Sequence, residues 1–241
     1  LGGRGELRDW EIMNVPAKGF NTGTQSRNAP FFAIYTEDAA GQKNAAMLAG
    51  PLNINEYNHA FGTPVSNFGL PRFREASFDA AYPFGQVNLS DEALPVSVTI
   101  KAFNPLVPTD ADKSGLPVAI LSYQVRNCTD SPLVVSVSGS LRNFIGRDGV
   151  KDGLKGATIY NTNHYRTQNG LSGIYFCSEG VAKDHQAWGT MALTTDAQSG
   201  VSYRTSSKKD QWSQAILNFW DDFSADGVLT DREHSAEVDP M

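Results

Sequence analysis

The stretch Leu94–Ala102, LPVSVTIKA, determines the fold class of this chain. Its apolar residues fall on every second position, at Val96, Val98 and Ile100, and polar residues fill the positions between them. Successive side chains of a β-strand point to opposite faces, so this alternation predicts a strand with one face in a core and the other in water.

Two further runs, 119–126 and 133–139, show the same alternation. Their predicted inward-facing residues are Leu121, Tyr123 and Val125 in the first run and Leu133, Val135 and Val137 in the second. Because only a short turn-forming segment separates the two runs, they are predicted to be antiparallel neighbours. Weaker strand signals cover 30–37, 73–80, 173–178, 188–195 and 200–205.

One amphipathic helix is predicted late in the chain. Its apolar residues recur at steps of three and four, at Trp212, Ala215, Ile216, Phe219, Trp220 and Phe223. The segment Ser207–Asp210 has the pattern of a capping box with Asp in place of Glu, so we expect the helix to begin there. The longest predicted loop is the glycine-rich segment 146–170.

Many strands with a single late helix predict an all-β protein, a two-sheet antiparallel β-sandwich with long loops. No internal repeat and no linker-like segment divides the sequence, so we expect a single domain over residues 1–241. With 40% hydrophobic and 19% charged residues in 241, the chain is long enough and apolar enough to bury a core.

Charge and hydropathy exclude two classes of partner. The formal net charge is −6, and lysine and arginine are scattered without a run, which argues against nucleic acid as a ligand. No apolar run reaches the roughly 18 residues of a membrane span, so we expect a soluble chain without a transmembrane segment. The sequence predicts no compartment, and Cys128 and Cys177 fit one disulfide or two free thiols equally well.

The most specific local motif lies at 222–233 and matches the loop of an EF-hand calcium site. Its side-chain ligands would be Asp222, Ser224, Asp226 and Glu233, with Gly227 at the sharp turn and a carbonyl ligand from Val228. The alternative is a polar turn in which glycine ends the preceding helix. A second partial match at 110–115 lacks the closing acidic residue, and we interpret it as a turn between two strands.

Motifs for catalysis are weak in this sequence. There is no G-x-S-x-G elbow, and the S-x-x-K match at 206–209 lacks its S-D-N and K-T-G partners. The histidines have no zinc-ligand spacing, and a glycosidase carboxylate pair is defined by a distance in space that a linear sequence does not give. Four aromatic residues could stack on sugars, although filling a core or an interface is the commoner role: Trp10, Tyr82, Trp188 and Trp212.

Six segments in order resemble the N-terminal domain of glycoside hydrolase family 116, the family of the bile-acid β-glucosidase or non-lysosomal glucosylceramidase. They are LRDWE at 7–11, YPFG at 82–85, AFNPLVP at 102–108 with the following 110–117, GSLRNFIG at 139–146, WGTMAL at 188–193 and FWDDF at 219–223. The resemblance runs over nearly the whole chain, and the segment beginning at Ala102 is the most distinctive. It also gives the acidic residues near Asp222 a structural explanation besides calcium.

The resemblance implies a β-sandwich packed against a C-terminal (α/α)6 helical barrel. In that family the barrel carries a Glu nucleophile and an Asp acid/base in a retaining mechanism, so no catalytic residue is carried over to this chain. We therefore expect a non-catalytic domain of a larger β-glucosidase, possessing no cofactor and acting with its barrel on β-glucoside carbohydrate. At 241 residues, the chain is also expected to stop before the last sandwich strands.

Two alternatives stay open, a carbohydrate-binding module and a calcium-stabilised interaction module. A domain that normally packs against a barrel should expose an apolar patch when it is alone. The sequence offers two segments for structural or interface contacts, the helix 212–223 and the stretch Phe103–Leu106.

Overall fold

Antiparallel strands are the main regular structure in the described residues. The computed structural model describes residues 1–7, 11–12, 15–16, 30–53, 67, 69–146, 157–185, 187–208, 214–231 and 238–239. The strands are β1 (Glu11–Ile12), β2 (Val15–Pro16), β3 (Phe31–Asp38), β4 (Lys43–Met47), β5 (Glu75–Ala81), β6 (Phe84–Ser90), β7 (Val96–Phe103), β8 (Ile120–Asn127), β9 (Leu133–Ser140), β10 (Asn161–Gln168), β11 (Leu171–Ser178), β12 (Met191–Thr195), β13 (Ser207–Lys208) and β14 (Val238–Asp239). The helices are α1 (Ala111–Ser114) and α2 (Gln214–Asp226), and a 3-10 turn covers Ala157–Tyr160.

The first sheet is an antiparallel meander with the strand order β5-β6-β7-β8. Strand β7 lies inside it and buries Val96, Val98 and Ile100, each at most 2% exposed. The polar residues between them face the other way, so the prediction from alternation is confirmed. The three residues predicted to face inward on β8 are partly buried against the same core: Leu121, Tyr123 and Val125.

The second sheet, with the order β4-β3-β9, completes the sandwich. Its central strand β3 is buried on both faces. Ile34 joins the core shared with the first sheet, whereas Ala33 and Tyr35 pack with Phe219 and Phe223 of α2. The predicted all-β sandwich is confirmed, with α2 as a further layer on the outer side of the second sheet.

The predicted pairing of runs 119–126 and 133–139 is wrong. β8 pairs with β7 and β9 pairs with β3, so residues 128–132 cross from one sheet to the other. The Asn127 side chain holds this crossing, because its Oδ1 accepts a hydrogen bond from the Thr129 backbone N at 2.8 Å and its Nδ2 donates to the Ser131 carbonyl at 2.7 Å. A short turn can join strands within a sheet or across a sandwich, so its length did not determine the partner.

The predicted burial along β9 is only partly correct. Leu133 packs against the sandwich core, but Val135 and Val137 are 38% and 42% exposed. Val137 pairs with Ile34, and directly opposed residues share a face of the sheet, so it does point to the side between the sheets. It stays exposed because β9 is the edge strand in the order β4-β3-β9.

A third sheet, with the order β10-β11-β12, includes part of the segment that the sequence predicts as a long loop. β10 begins at Asn161, and its sequence NTNHYRTQ carries no hydrophobic alternation. Phe176 of β11 belongs to a separate core cluster with Leu141 and Ile145. The predicted loop is therefore wrong over 161–168, and the predicted strand at 200–205 has no regular structure.

Helix α2 confirms the predicted helix but not its predicted start. Ser207 lies in β13 and pairs with Asp239, so it is not the helix N-cap. Residues 209–213, including Trp212, lie outside the described residues. Gly227 ends the helix with a φ of +74°, and its backbone N donates to the Phe223 carbonyl at 2.9 Å.

The two cysteines are free thiols on different elements. Cys128 is exposed beyond the end of β8, and Cys177 is partly exposed on β11 with its Sγ 3.0 Å from Thr162 Oγ1.

Neither helix in the described part of the chain has the length and apolar character needed to cross a bilayer.

Candidate functional site

A buried ion pair between Arg204 and Asp222 organises the C-terminal half of α2. Arg204 Nη2 lies 2.6 Å from Asp222 Oδ2, and the two side chains are 1% and 10% exposed. The guanidinium also donates to Asn218 Oδ1 at 3.0 Å and to the Thr230 carbonyl at 3.2 Å. The Thr230 backbone N donates to the same Asp222 oxygen at 2.9 Å. A buried charge is tolerated when it is paired and hydrogen-bonded, as both charges are here.

This ion pair occupies the first of the four side chains predicted as calcium ligands. Asp222 and Ser224 lie within α2, so the predicted loop is wrong over 222–226. At 3.6 residues per helical turn, Asp226 lies on the same side of α2 as Asp222, whereas Ser224 points roughly 200° away. The structure therefore brings the two aspartates to one side and does not bring Ser224 to them.

The remaining calcium candidates are Asp226, the last residue of α2, and Glu233. Asp226 Oδ1 accepts a hydrogen bond from the Val228 backbone N at 2.9 Å, and Glu233 lies outside the described residues. Within the described ranges, no group of three or more His, Cys, Asp or Glu side chains is placed to hold a metal ion. Calcium binding by 222–233 stays a prediction.

The second partial calcium match forms a helix cap between β7 and β8. Asp110 Oδ1 accepts a hydrogen bond from the Lys113 backbone N at 2.9 Å, and its Oδ2 lies 2.9 Å from Lys113 Nζ. These hydrogen bonds lower the pKa of Asp110, the backbone one most strongly. The segment does connect two strands, as predicted, but Ala111–Ser114 form the short helix α1 in place of a simple turn.

The connection around this cap exposes a patch of large apolar side chains, which we call the connection patch. Its members are between 36% and 54% exposed: Leu106, Val107, Leu116 and Val118. Two side chains tie the arms of the connection together. Asn104 Nδ2 donates to the Val118 carbonyl at 2.9 Å, and Ser114 Oγ accepts from the Val107 backbone N at 3.0 Å. The apolar side chains are thus presented by an ordered segment.

Two of the four aromatic candidates for sugar stacking are accessible. Tyr82 is 87% exposed at the turn between β5 and β6, and Trp188 is 40% exposed before β12. Trp10 and Trp212 lie outside the described residues. The helix predicted for structural or interface contacts has a structural role, because Phe219 and Phe223 are buried against β3 and their rings stack at 5.5 Å between centroids.

The comparison with protein families gives a match over the whole chain. A family model described as beta-glucosidase 2, glycosyl-hydrolase family 116 N-term, matches residues 1–241. The chain belongs to this family. The resemblance carried by the six sequence segments is thereby confirmed, and the family supports the interpretation as a non-catalytic N-terminal domain.

The segments that resemble family 116 have different positions in this domain. FWDDF at 219–223 lies in α2 and contributes the buried ion pair and the aromatic contact with β3. AFNPLVP at 102–108 and the following 110–117 end β7 and form most of the connection patch. The first group stabilises the sandwich, whereas the second lies on its surface.

The outward face of the first sheet is polar, and the sequence did not predict the part that β6 contributes. We call it the polar face, and its polar members are Glu75, Ser77, Asp79, Gln86, Asn88, Ser90, Ser97, Thr99, Lys101, Ser122, Gln124 and Arg126. Within β6 the run GQVNLS does alternate, with Val87 and Leu89 buried between Gln86, Asn88 and Ser90. That alternation could have identified the strand, but it covers only two buried residues.

Proposed function

We propose that this family 116 N-terminal domain binds and supports a C-terminal (α/α)6 helical-barrel domain that hydrolyses β-glucosides. The observation that supports this proposal is the connection patch. It lies in the segment that resembles family 116 most distinctively, and its apolar side chains face solvent in the described chain. Exposed apolar clusters of this kind typically mark interaction sites.

The connection patch is suited to binding because its backbone is already ordered. The hydrogen bonds from Asn104 and to Ser114 fix the arms of the connection, so little conformational entropy remains to be lost on association. Complete burial of a leucine or valine side chain contributes about 1.5–3 kcal/mol, so a few such residues suffice to anchor a partner domain.

In this proposal, the chemistry belongs to the partner domain. Retaining glycosidases need two carboxyl groups about 5–5.5 Å apart, one of them acting as acid and base. Asp110 and Asp222, the first acidic residues of the two predicted calcium motifs, form ion pairs instead, Asp110 with Lys113 and Asp222 with Arg204. These contacts fit a stabilising role for the two aspartates.

The test is a binding measurement with a separately expressed (α/α)6 domain from a family 116 β-glucosidase. We expect the 241-residue chain to bind it, and Leu116→Asp to weaken binding at least tenfold. Val134→Asp is the matched control, because Val134 is 61% exposed on β9 while Leu116 is 54% exposed in the connection patch. Calorimetry gives the affinities, and far-UV circular dichroism checks that both variants fold.

Two results would overturn the proposal. One is hydrolysis of an aryl β-glucoside by this chain in the absence of any helical domain. The other is an equal loss of affinity for Leu116→Asp and Val134→Asp, since that would show a nonspecific effect of charge.

A further inference from the structure

We propose that the polar face of the first sheet binds a neutral oligosaccharide, with a pyranose ring stacked on Phe84 and its hydroxyl groups bound by Asp79, Gln86 and Lys101. This site shares no residue with the connection patch, and the proposal does not depend on the docking of a helical domain. Four observations support it, and each concerns side chains that point away from the sandwich core.

The first observation is the alignment of an aromatic ring with polar groups. Phe84, Gln86 and Asn88 occupy alternate positions on the outward face of β6, so neighbours in this row are roughly 7 Å apart. Across the strands, Gln86 pairs with Asp79 on β5 and with Lys101 on β7. A sugar ring above Phe84 would therefore have donors and acceptors on adjacent strands within reach.

The second observation is that Asn88 holds these groups in place. Its Nδ2 donates to Asp79 Oδ2 at 3.0 Å and to Ser77 Oγ at 3.3 Å. Its Oδ1 accepts from Gln86 Nε2 at 3.0 Å and from Thr99 Oγ1 at 3.1 Å. These four bonds use both donors and both lone pairs of the amide, so Asn88 positions its neighbours rather than binding a ligand itself.

The groups that Asn88 orients keep capacity for a ligand. Gln86 retains its Oε1 and a second N–H, and Asp79 retains its other carboxylate oxygen. Lys101 is exposed on the adjacent strand. Alternating donors and acceptors fixed before binding match the hydroxyl groups of a sugar, each of which both donates and accepts.

The third observation is a fixed aromatic platform. Phe84 is 56% exposed although it lies on a strand, and its ring contacts that of Phe103 with 5.5 Å between centroids. Phe103 is the residue paired with it on β7, so the contact sets the orientation of the exposed ring. Tyr82, 87% exposed at the adjacent turn, adds a second ring at this end of the sheet. Such rings contribute apolar contact area at low conformational cost.

The fourth observation is the charge of the face. Four outward residues of the sheet are charged, the acidic Glu75 and Asp79 and the basic Lys101 and Arg126, so their formal charges cancel. The chain as a whole has a net charge of −6. A locally neutral face rich in amides and hydroxyls complements an uncharged polar ligand better than a phosphate-bearing one. With four strands, the face is roughly 14 Å wide.

The experiment is affinity gel electrophoresis of the 241-residue chain through gels that contain a soluble β-glucan, with calorimetry on cellotetraose. We expect the β-glucan to retard the chain. Phe84→Ala and Gln86→Ala should each weaken binding at least tenfold. Tyr160→Ala is the matched control, because Tyr160 is likewise 56% exposed but lies in the 3-10 turn, away from the first sheet.

A third variant tests the positioning role of Asn88. Asn88→Ala should weaken glucan binding because Asp79 and Gln86 lose the side chain that orients them. Stacking of the sugar on Phe84 should persist in this variant. The loss of affinity should therefore be smaller for Asn88→Ala than for the double variant Asn88→Ala/Phe84→Ala. The midpoint of urea unfolding is measured for every variant. If one variant unfolds, the Gln86→Ala and Tyr160→Ala pair still decides the outcome.

Three results would overturn the proposal. The first is no retardation by any neutral glucan, and the second is equal weakening by Phe84→Ala and Tyr160→Ala. The third is a concentration-dependent dimer, detected by analytical ultracentrifugation, that Phe84→Ala abolishes, since the face would then bind a second copy of the chain. No helical domain is present in these assays, so failure of the docking proposal leaves them unaffected.

Discussion

Replacing Asp222 with asparagine should destabilise the domain by about 3 kcal/mol, the lower end of the range for breaking a buried ion pair. The substitution keeps the shape of the side chain and removes its charge. Arg204 is then left 1% exposed without a counter-charge, and an arginine does not lose its proton in response. Domains of this kind have a total stability of about 5–15 kcal/mol, so the loss is a large fraction of it.

The matched control is Asp226→Asn, one helical turn further along α2. Asp226 is exposed, and its side chain accepts a local hydrogen bond from the Val228 backbone N at 2.9 Å. An asparagine at this position can still accept that bond. We therefore expect a change of at most about 0.5–1 kcal/mol.

The comparison separates a structural ion pair from a calcium site. If calcium bound residues 222–233, both Asp222 and Asp226 would be ligands. Both substitutions would then lower the free energy of unfolding strongly, and both losses would depend on calcium. If the ion pair dominates, only Asp222→Asn is severe and calcium changes nothing. The double variant with Arg204→Met should recover much of the loss, since removing both charges leaves neither one unpaired.

The assay is urea unfolding at 25 °C, followed by circular dichroism, with excess calcium and with a chelator. The free energies of unfolding of the two single variants are compared with that of the unchanged chain. Equal destabilisation by Asp222→Asn and Asp226→Asn would refute the reasoning. So would a destabilisation by Asp222→Asn that appears with calcium and vanishes with the chelator.

Three further predictions concern the core. Gly227→Ala should cost about 2–4 kcal/mol by urea unfolding, because a Cβ there would lie 2.5 Å from Tyr35 Cδ1, whereas Gly41→Ala, at a φ of +79° with open space around it, should cost about 1–2 kcal/mol; equal losses would contradict this. Burial, together with the hydrogen bond that the Tyr35 hydroxyl donates to Glu37, raises the pKa of Tyr35 to about 12. The contribution of Tyr35 to the free energy of unfolding is therefore fully present below pH 10 and is lost as the pH rises through about 12. Spectrophotometric titration at 295 nm should show one fewer late-ionising tyrosine in Tyr35→Phe, and an unchanged curve would contradict the assignment. Val98→Thr should destabilise by about 1–3 kcal/mol because Val98 is 2% exposed, while Val137→Thr, 42% exposed, should stay within about 0.5 kcal/mol; similar midpoints would contradict the burial pattern.

The local pattern of β7 predicted its structure because the information lies within the strand. Val96, Val98 and Ile100 alternate with polar residues, and period two is a property of neighbouring residues. The same reasoning failed for the partner of β9, since pairing depends on how two sheets stack. It also missed β10, whose polar residues make a strand through pairing with β11 and not through their own hydrophobicity.

One part of the candidate site could likewise be predicted from a local pattern, and another part could not. The aromatic face of α2 follows from helical periodicity, but the partner of Asp222 is Arg204, which precedes it by 18 residues in a segment without regular structure. No spacing rule connects the two. The acidic residues near the helix end therefore matched a calcium motif, while the contact that decides the environment of Asp222 could be seen only in three dimensions.

The two proposed surfaces meet at the start of β8, and this gives a further means of testing them together. Ile120 is 44% exposed, pairs with Phe103 and follows Val118 of the connection patch. Phe103 in turn contacts Phe84 of the polar face. A helical domain bound at the connection patch would thus lie beside the stacking platform, and binding at one surface should change affinity at the other. By linkage, the factor by which the helical domain changes glucan affinity must equal the factor by which glucan changes the affinity of that domain. A common factor of one, with neither ligand changing the affinity of the other, would contradict the inference that the two surfaces meet.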